Sequence, residues 1–201
     1  MRTSRTSILL LVLICLITAS SYAQDTAARS DGWRFGIFSQ GGSGLHARTD
    51  VQMLSIAGFR FGHVIGKPFG PTHLRTSFEL NAEIIPYQRF YWNNSPVING
   101  FAANPVILKW TFIGDGKQRD APFILATGGL VVTGTNLPPG DTNTLNFTPG
   151  FGCGVHVFTT PSQAITADLR AIHISNATLG NHNPGVNASL QMSVGYTWFK
   201  R

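Results

Sequence analysis

A histidine and a serine two positions apart, His173 and Ser175, are the residues of this chain best placed to do chemistry together. They close a segment, 163–178, that alternates like a β-strand. In a strand, positions i and i+2 share a face and lie about 6.6 Å apart. Two side chains leaning together across that gap can hydrogen-bond. An imidazole in reach of a hydroxyl can take its proton and make it a useful nucleophile. The same pair also suits a plainer role, as polar groups tolerated at a membrane headgroup level. The remaining histidines, His46, His63, His73, His156 and His182, show no metal-ligand spacing, so no metal or other cofactor is expected.

The elements that must position the pair are read from the rest of the chain. Its 201 residues suit one domain. Arg2 and Arg5, the apolar run Ile8 to Ile17 and the small-residue site Ser21-Tyr22-Ala23 predict a signal peptide over 1–23, with a single domain over 24–201. Processing would remove Cys15 and leave Cys153, so no internal disulfide is expected in the mature protein. Loss of Arg2 and Arg5 lowers the formal charge from +6 to +4. In an exported protein such a basic surface points to anionic lipid rather than nucleic acid. After the leader no run of some twenty apolar residues remains, so no helical span is available.

Turn-rich clusters separate eight alternating segments, at approximately 32–42, 52–65, 74–88, 100–113, 121–134, 145–160, 163–178 and 187–199. Several exceed the about 5–6 residues of a soluble strand and suit the about 9–11 of a tilted membrane strand. In the third, Thr76, Phe78, Leu80, Ala82 and Ile84 share one face, and Arg75, Ser77, Glu79, Asn81 and Glu83 the other. The fourth sets Val106, Leu108, Trp110 and Phe112 against Lys109 and Thr111. The eighth sets Leu190, Met192, Val194, Tyr196 and Trp198 against Ser189, Gln191, Ser193 and Thr197. An apolar outside and a polar inside predict an all-β fold, an eight-stranded antiparallel transmembrane β-barrel. Its lumen would be filled by side chains, with Glu79, Glu83, Lys109, Asp168 and Arg170 pairing inside. Trp92, Trp110, Trp198 and Tyr196 suit interfacial aromatic belts.

The seventh segment carries the functional argument. Ile165, Ala167, Leu169, Ala171, His173, Ser175 and Ala177 share one parity, and Thr166, Asp168 and Arg170 the other. His173 and Ser175 are therefore expected to face lipid. A nucleophile pointing out of a barrel reaches only what lies in the membrane, so a lipid ester is the expected substrate.

The stretch His173-Ile174-Ser175-Asn176-Ala177, followed by Asn183-Pro184-Gly185, resembles the lipid A 3-O-deacylases of the PagL type. Phe78-Glu79-Leu80, Asn104-Pro105, the glycines near 128 and Asn146-Phe147-Thr148-Pro149 extend the likeness upstream. The resemblance implies a bacterial outer-membrane barrel that hydrolyses the ester-linked acyl chain at the 3 position of lipid A. It makes Ser175 the nucleophile and His173 the general base. It gives Asn183 and a backbone N–H near Thr178 to the oxyanion hole. Asn176 and His182 become candidate substrate contacts, His182 towards a lipid A phosphate or simply solvated in its loop. The family's catalytic acid falls at Asn187, and a glycine is common in the family where Thr178 stands. An asparagine can orient an imidazole through its carbonyl oxygen, but it brings no full charge to the imidazolium. Simple alternation would turn Asn187 to the lumen, unless the turn around Pro184-Gly185 breaks the phase.

The implied partners are lipid A or lipopolysaccharide and outer-membrane lipids, with no nucleic acid and with a homodimer left open. Two other readings stand beside the esterase. One is a non-catalytic barrel that binds lipopolysaccharide or has a structural role, which the asparagine at 187 favours. The other is a secreted soluble β-sandwich.

Overall fold

The computed structural model describes residues 31–44, 51–92, 95–115, 118–140, 142–180, 182 and 186–200. The leader expected over 1–23 lies outside these. The elements are β1 (Trp33–Gly44), β2 (Val51–Val64), β3 (Thr76–Trp92), β4 (Ile98–Phe112), β5 (Asp120–Thr133), β6 (Leu145–Phe147), β7 (Gly150–Thr160), β8 (Gln163–Ile174) and β9 (Val186–Lys200), with one 3-10 turn at Thr72–Leu74. All pairings are antiparallel, in the order β4-β3-β2-β1-β9-β8-β7-β5-β6, and the β4–β5 pair closes the cylinder.

The expected sixth segment is two strands rather than one. Thr127 faces Gly150 and Leu130 faces Phe147, so β6 and β7 continue each other along β5. The interruption falls at Thr148-Pro149, because proline has no N–H to give the ladder. The barrel is therefore eight-stranded.

The outside of the cylinder is apolar: Ile37, Ile56, Ile124, Phe151, Leu169, Met192 and Val194 are among its exposed side chains. No water-soluble β-sandwich presents such a surface all round. The alternation expected in the fourth and eighth segments is present, with Lys109, Thr111, Ser189, Gln191, Ser193 and Thr197 buried in the lumen. Thr76 departs from its expected outward face. It is buried at the turn below β3, where its hydroxyl donates to Leu74 O at 2.9 Å.

Strict alternation also fails towards the end of the barrel remote from the paired ends Trp33 and Lys200, here called the outer end. Register shifts fall between Ile85 and Gln88 on β3 and between Ala103 and Val106 on β4. Pro86 and Pro105 lie within them, where the missing N–H favours a bulge over regular pairing. β1 against β2 shifts too, with Phe38 facing Gly58 but Gln40 facing Ser55. Above these bulges the inward residues change parity, so Met53, Gln88, Phe90 and Ala102 line the lumen.

The lumen is solid and layered. At the outer end Phe38, Val51, Met53, Ile85, Phe90, Ile98, Val131, Leu137, Ile172 and Ile174 form an apolar plug, against which Trp92 packs instead of standing in an interfacial belt. Beneath it lies an ion cluster. Arg170 grips Glu83 with two nitrogens (2.7 and 2.8 Å) and donates to Asp168 (2.8 Å), while Arg60 donates to Glu83 (2.5 Å) and Asp168 (3.0 Å). Lower still, Lys109 pairs with Glu79 at 2.8 Å and lies 3.2 Å from His156 Nε2. All five charged residues expected inside pair there. Arg60, His156 and the buried Arg34 join them in the lumen, and the parity Arg60 shares with Gly58 and Gly62 is the signal for it in the sequence.

Candidate active site

The inner face of β8 decides where its outer face points. Ala164, Thr166, Asp168, Arg170, Ile172 and Ile174 are all buried in the lumen. A one-residue slip would turn this set outward. It would take Ile172 and Ile174 out of the plug, leaving it underpacked, and would turn Asp168 and Arg170 away from their partners onto the apolar outer face. The outward set is thereby fixed as Ile165, Ala167, Leu169, Ala171 and His173, and Ser175 follows in the same phase, half-buried like His173.

From His173 onward the chain is carried by its neighbours. The His173 N–H donates to Pro149 O at 2.9 Å. Ser175 and Phe147 exchange both backbone hydrogen bonds, at 2.7 and 3.1 Å. The break at Pro149 thus leaves β6 free to hold the segment that bears the pair. On the other side, Ile172 faces Ser189 while Ile174 faces Val186. One residue of β8, His173, therefore lies opposite two of β9, Asn187 and Ala188. A bulge of this kind breaks the simple alternation that turned Asn187 to the lumen.

The loop after Ser175 is clamped by Asn176, whose side chain is 1% exposed. Its Nδ2 donates to His182 O at 2.8 Å, its Oδ1 accepts from the Thr178 N–H at 3.0 Å, and its carbonyl accepts from the Leu179 N–H at 2.9 Å. With its amide hydrogen-bonded at both ends and sealed from the surface, Asn176 shapes the loop that carries the other expected contacts. The Thr178 N–H, an expected oxyanion donor, is engaged by that clamp in this conformation. Ala177 and Thr178 have φ of 49° and 66°, the left-handed region that side chains with a Cβ disfavour. This is the conformation for which a glycine at 178 is suited. Gly180 follows where the loop meets the one after β5, since a Cβ there would lie 2.9 Å from Thr142 O. His182 is exposed. Asn183 lies outside the described residues, as do the side chains around position 187.

Below the pair, on the lipid-facing wall, an apolar groove is lined by Ile124, Phe151, Cys153, Leu169, Ala171 and Leu190. Ala171 lies between Phe151 on β7 and Leu190 on β9 in the ladder, and its small side chain makes the floor. Among the described residues no three His, Cys, Asp or Glu side chains gather to hold a metal.

The sequence pattern of the family described as lipid A 3-O-deacylase (PagL) matches residues 73–197, well over half of the chain. The chain belongs to that family. No curated protein matches it closely in sequence. Two solved barrels share its fold. The outer membrane enzyme PagL is 17% identical, with a TM-score of 0.53, covering 81% of this chain and 98% of its own. The neisserial surface protein A (NspA) is 15% identical, with a TM-score of 0.52, covering 85% of this chain and 99% of its own. This family member is an outer-membrane β-barrel. Such barrels keep short turns on the periplasmic side and longer loops outside. The shortest connection, 161–162, lies at the end where Trp33 meets Lys200, and the long connections 134–144 and 175–185 lie at the end carrying His173 and Ser175, which suits the first end to the periplasm and the second to the outer leaflet.

Proposed function

We propose that this PagL-family barrel is a serine esterase that removes the 3-position acyl chain of lipid A. The observation that carries the proposal is the shared outward face of His173 and Ser175 at the outer end of β8, above an apolar groove. A lipid ester in the outer leaflet reaches this face directly.

His173 takes the proton of Ser175 Oγ as the oxygen attacks the ester carbonyl carbon. The carbon–oxygen bond to the sugar breaks, and the leaving oxygen takes that proton back from the imidazolium. A water, deprotonated by His173, then frees the 3-hydroxy fatty acid and restores Ser175. Asn183 stabilises the oxyanion, and removal of one such donor commonly costs about 2.7–4 kcal/mol. The Thr178 N–H adds to it when Asn176 Oδ1 shares the donor. Asn187, in the bulge opposite His173, orients the imidazole through its amide oxygen. The acyl chain lies down the groove over Ala171, against Phe151 and Leu190, and His182 faces the headgroup at the mouth.

The absence of an acid at 187 favours one other reading, a barrel that binds lipopolysaccharide without turning it over. Mass spectra of lipid A from cells with and without the protein separate the two. The esterase removes one 3-hydroxyacyl chain, and Ser175→Ala restores the full acyl complement. An unchanged spectrum in the presence of the wild-type barrel would refute the esterase.

A further inference from the structure

The wall diametrically opposite the candidate active site carries a cation that the deacylase chemistry does not use. Arg89 lies near the outer end of β3, four steps around the sheet from β8 in either direction. By strict alternation it would share the lumen with Glu79 and Glu83. The bulge at Pro86-Tyr87 reverses the phase, so that Gln88 and Phe90 are buried in the lumen and Arg89 faces outward. There its guanidinium carbon lies 5.9 Å from the ring centres of both Tyr87 and Tyr91, the neighbours two residues either side on the same face. The Tyr87 hydroxyl is anchored on Asn99 Oδ1 of β4 at 2.8 Å. Among the described residues Arg89 has no carboxylate partner, and its Nε is sealed from solvent without a hydrogen-bond acceptor. Beside it Leu54 and below it Ile56, Ile84 and Phe101 are exposed and make the wall apolar.

An arginine at cation–π range of two tyrosines, on a lipid-facing wall and with an Nε that lacks an acceptor, is stabilised by an anion that arrives with the lipid. Interfacial tyrosines place it at headgroup depth. At the outer end of the barrel the lipids of that leaflet are phosphorylated glycolipids, whose acyl chains suit the apolar wall beneath. We propose that Tyr87, Arg89 and Tyr91 form a second, non-catalytic lipid site, in which Arg89 binds the phosphate of an outer-leaflet glycolipid. The site rests on the fold and the membrane location alone, and would stand if the esterase reading failed. Deacylation leaves lipid phosphates in place, so turnover does not alter its ligand.

Native mass spectrometry of the mature barrel in detergent tests this, with bisphosphorylated lipid A, dephosphorylated lipid A and inorganic phosphate as probes. Wild type is expected to retain a lipid A copy that Arg89→Gln binds about tenfold more weakly, with Arg89→Lys in between. Dephosphorylated lipid A is expected to bind wild type no better than lipid A binds Arg89→Gln. Deacylation of dispersed lipid A is expected to be the same in wild type and Arg89→Gln. Equal retention by wild type and Arg89→Gln would overturn the proposal. So would equal retention of phosphorylated and dephosphorylated lipid A by wild type, a comparison that needs no variant to fold. Displacement of the lipid by millimolar inorganic phosphate would reduce the site to one for free anions and sink the lipid assignment.

Discussion

Glu83 is the acceptor on which the middle of the lumen depends, and replacing it by glutamine tests the packing logic of the whole barrel. Its carboxylate takes two hydrogen bonds from Arg170, one from Arg60 and one from Asn104 Nδ2 at 3.0 Å. Two guanidiniums there face two carboxylates, Glu83 and Asp168, so the cluster is neutral. Glu83→Gln leaves one positive charge without compensation in a buried layer. It also turns an amide N–H₂ towards arginine nitrogens that can only donate. Breaking a buried ion pair from one side costs about 3–5 kcal/mol, mostly because the other partner stays buried and unpaired. Against a total stability of about 5–15 kcal/mol, that loss is large. Urea unfolding of the refolded barrel in phospholipid vesicles, followed by tryptophan fluorescence and by mobility on unheated gels, measures it. Glu83→Gln with Arg170→Gln restores neutrality. The double variant is therefore expected to be more stable than the summed single losses imply, by more than about 1 kcal/mol. Glu83→Gln within about 0.5 kcal/mol of wild type, or simple additivity in the double variant, would refute the reasoning.

Two further outcomes follow from the candidate site. Asn187→Glu restores the acid that the family resemblance implies at this position, with the task of stabilising the imidazolium formed during attack. Single-turnover release of fatty acid from lipid A is expected to quicken by about tenfold or more, and an unchanged or slower rate counts against the role given to position 187. Thr178→Gly relieves a residue at φ 66° and is expected to stabilise its loop by about 1 kcal/mol. Amide exchange at Leu179, whose N–H is held by Asn176 O, should then slow by about fivefold. No change in that protection would mean that the left-handed turn carries no strain.

Much of this protein was legible in the order of its residues. The period-two pattern of β4, β8 and β9 is a statement about two solvents, lipid outside and a polar lumen inside, and it needs no tertiary contact to be read. That same pattern carried the outward direction of His173 and Ser175, because Asp168 and Arg170 on the other parity cannot be left facing lipid. The lumenal pairing of Glu79 with Lys109 and of Glu83 with Arg170 followed from the cost of an isolated buried charge. Alternation stops being informative at a bulge, since one extra residue reverses every side chain beyond it. Pro86 and Pro105 mark two such places, but a proline alone does not say which way the register will slip. Only the closed sheet, by choosing the pairing that seals the apolar plug, sent Arg89 outward, Phe90 inward and the paired backbone of Asn187 into a bulge beside His173. Likewise, only the folded loop shows that both ends of the Asn176 amide are engaged within it. Local pattern set the faces of the strands, and the closure of the cylinder set their phase.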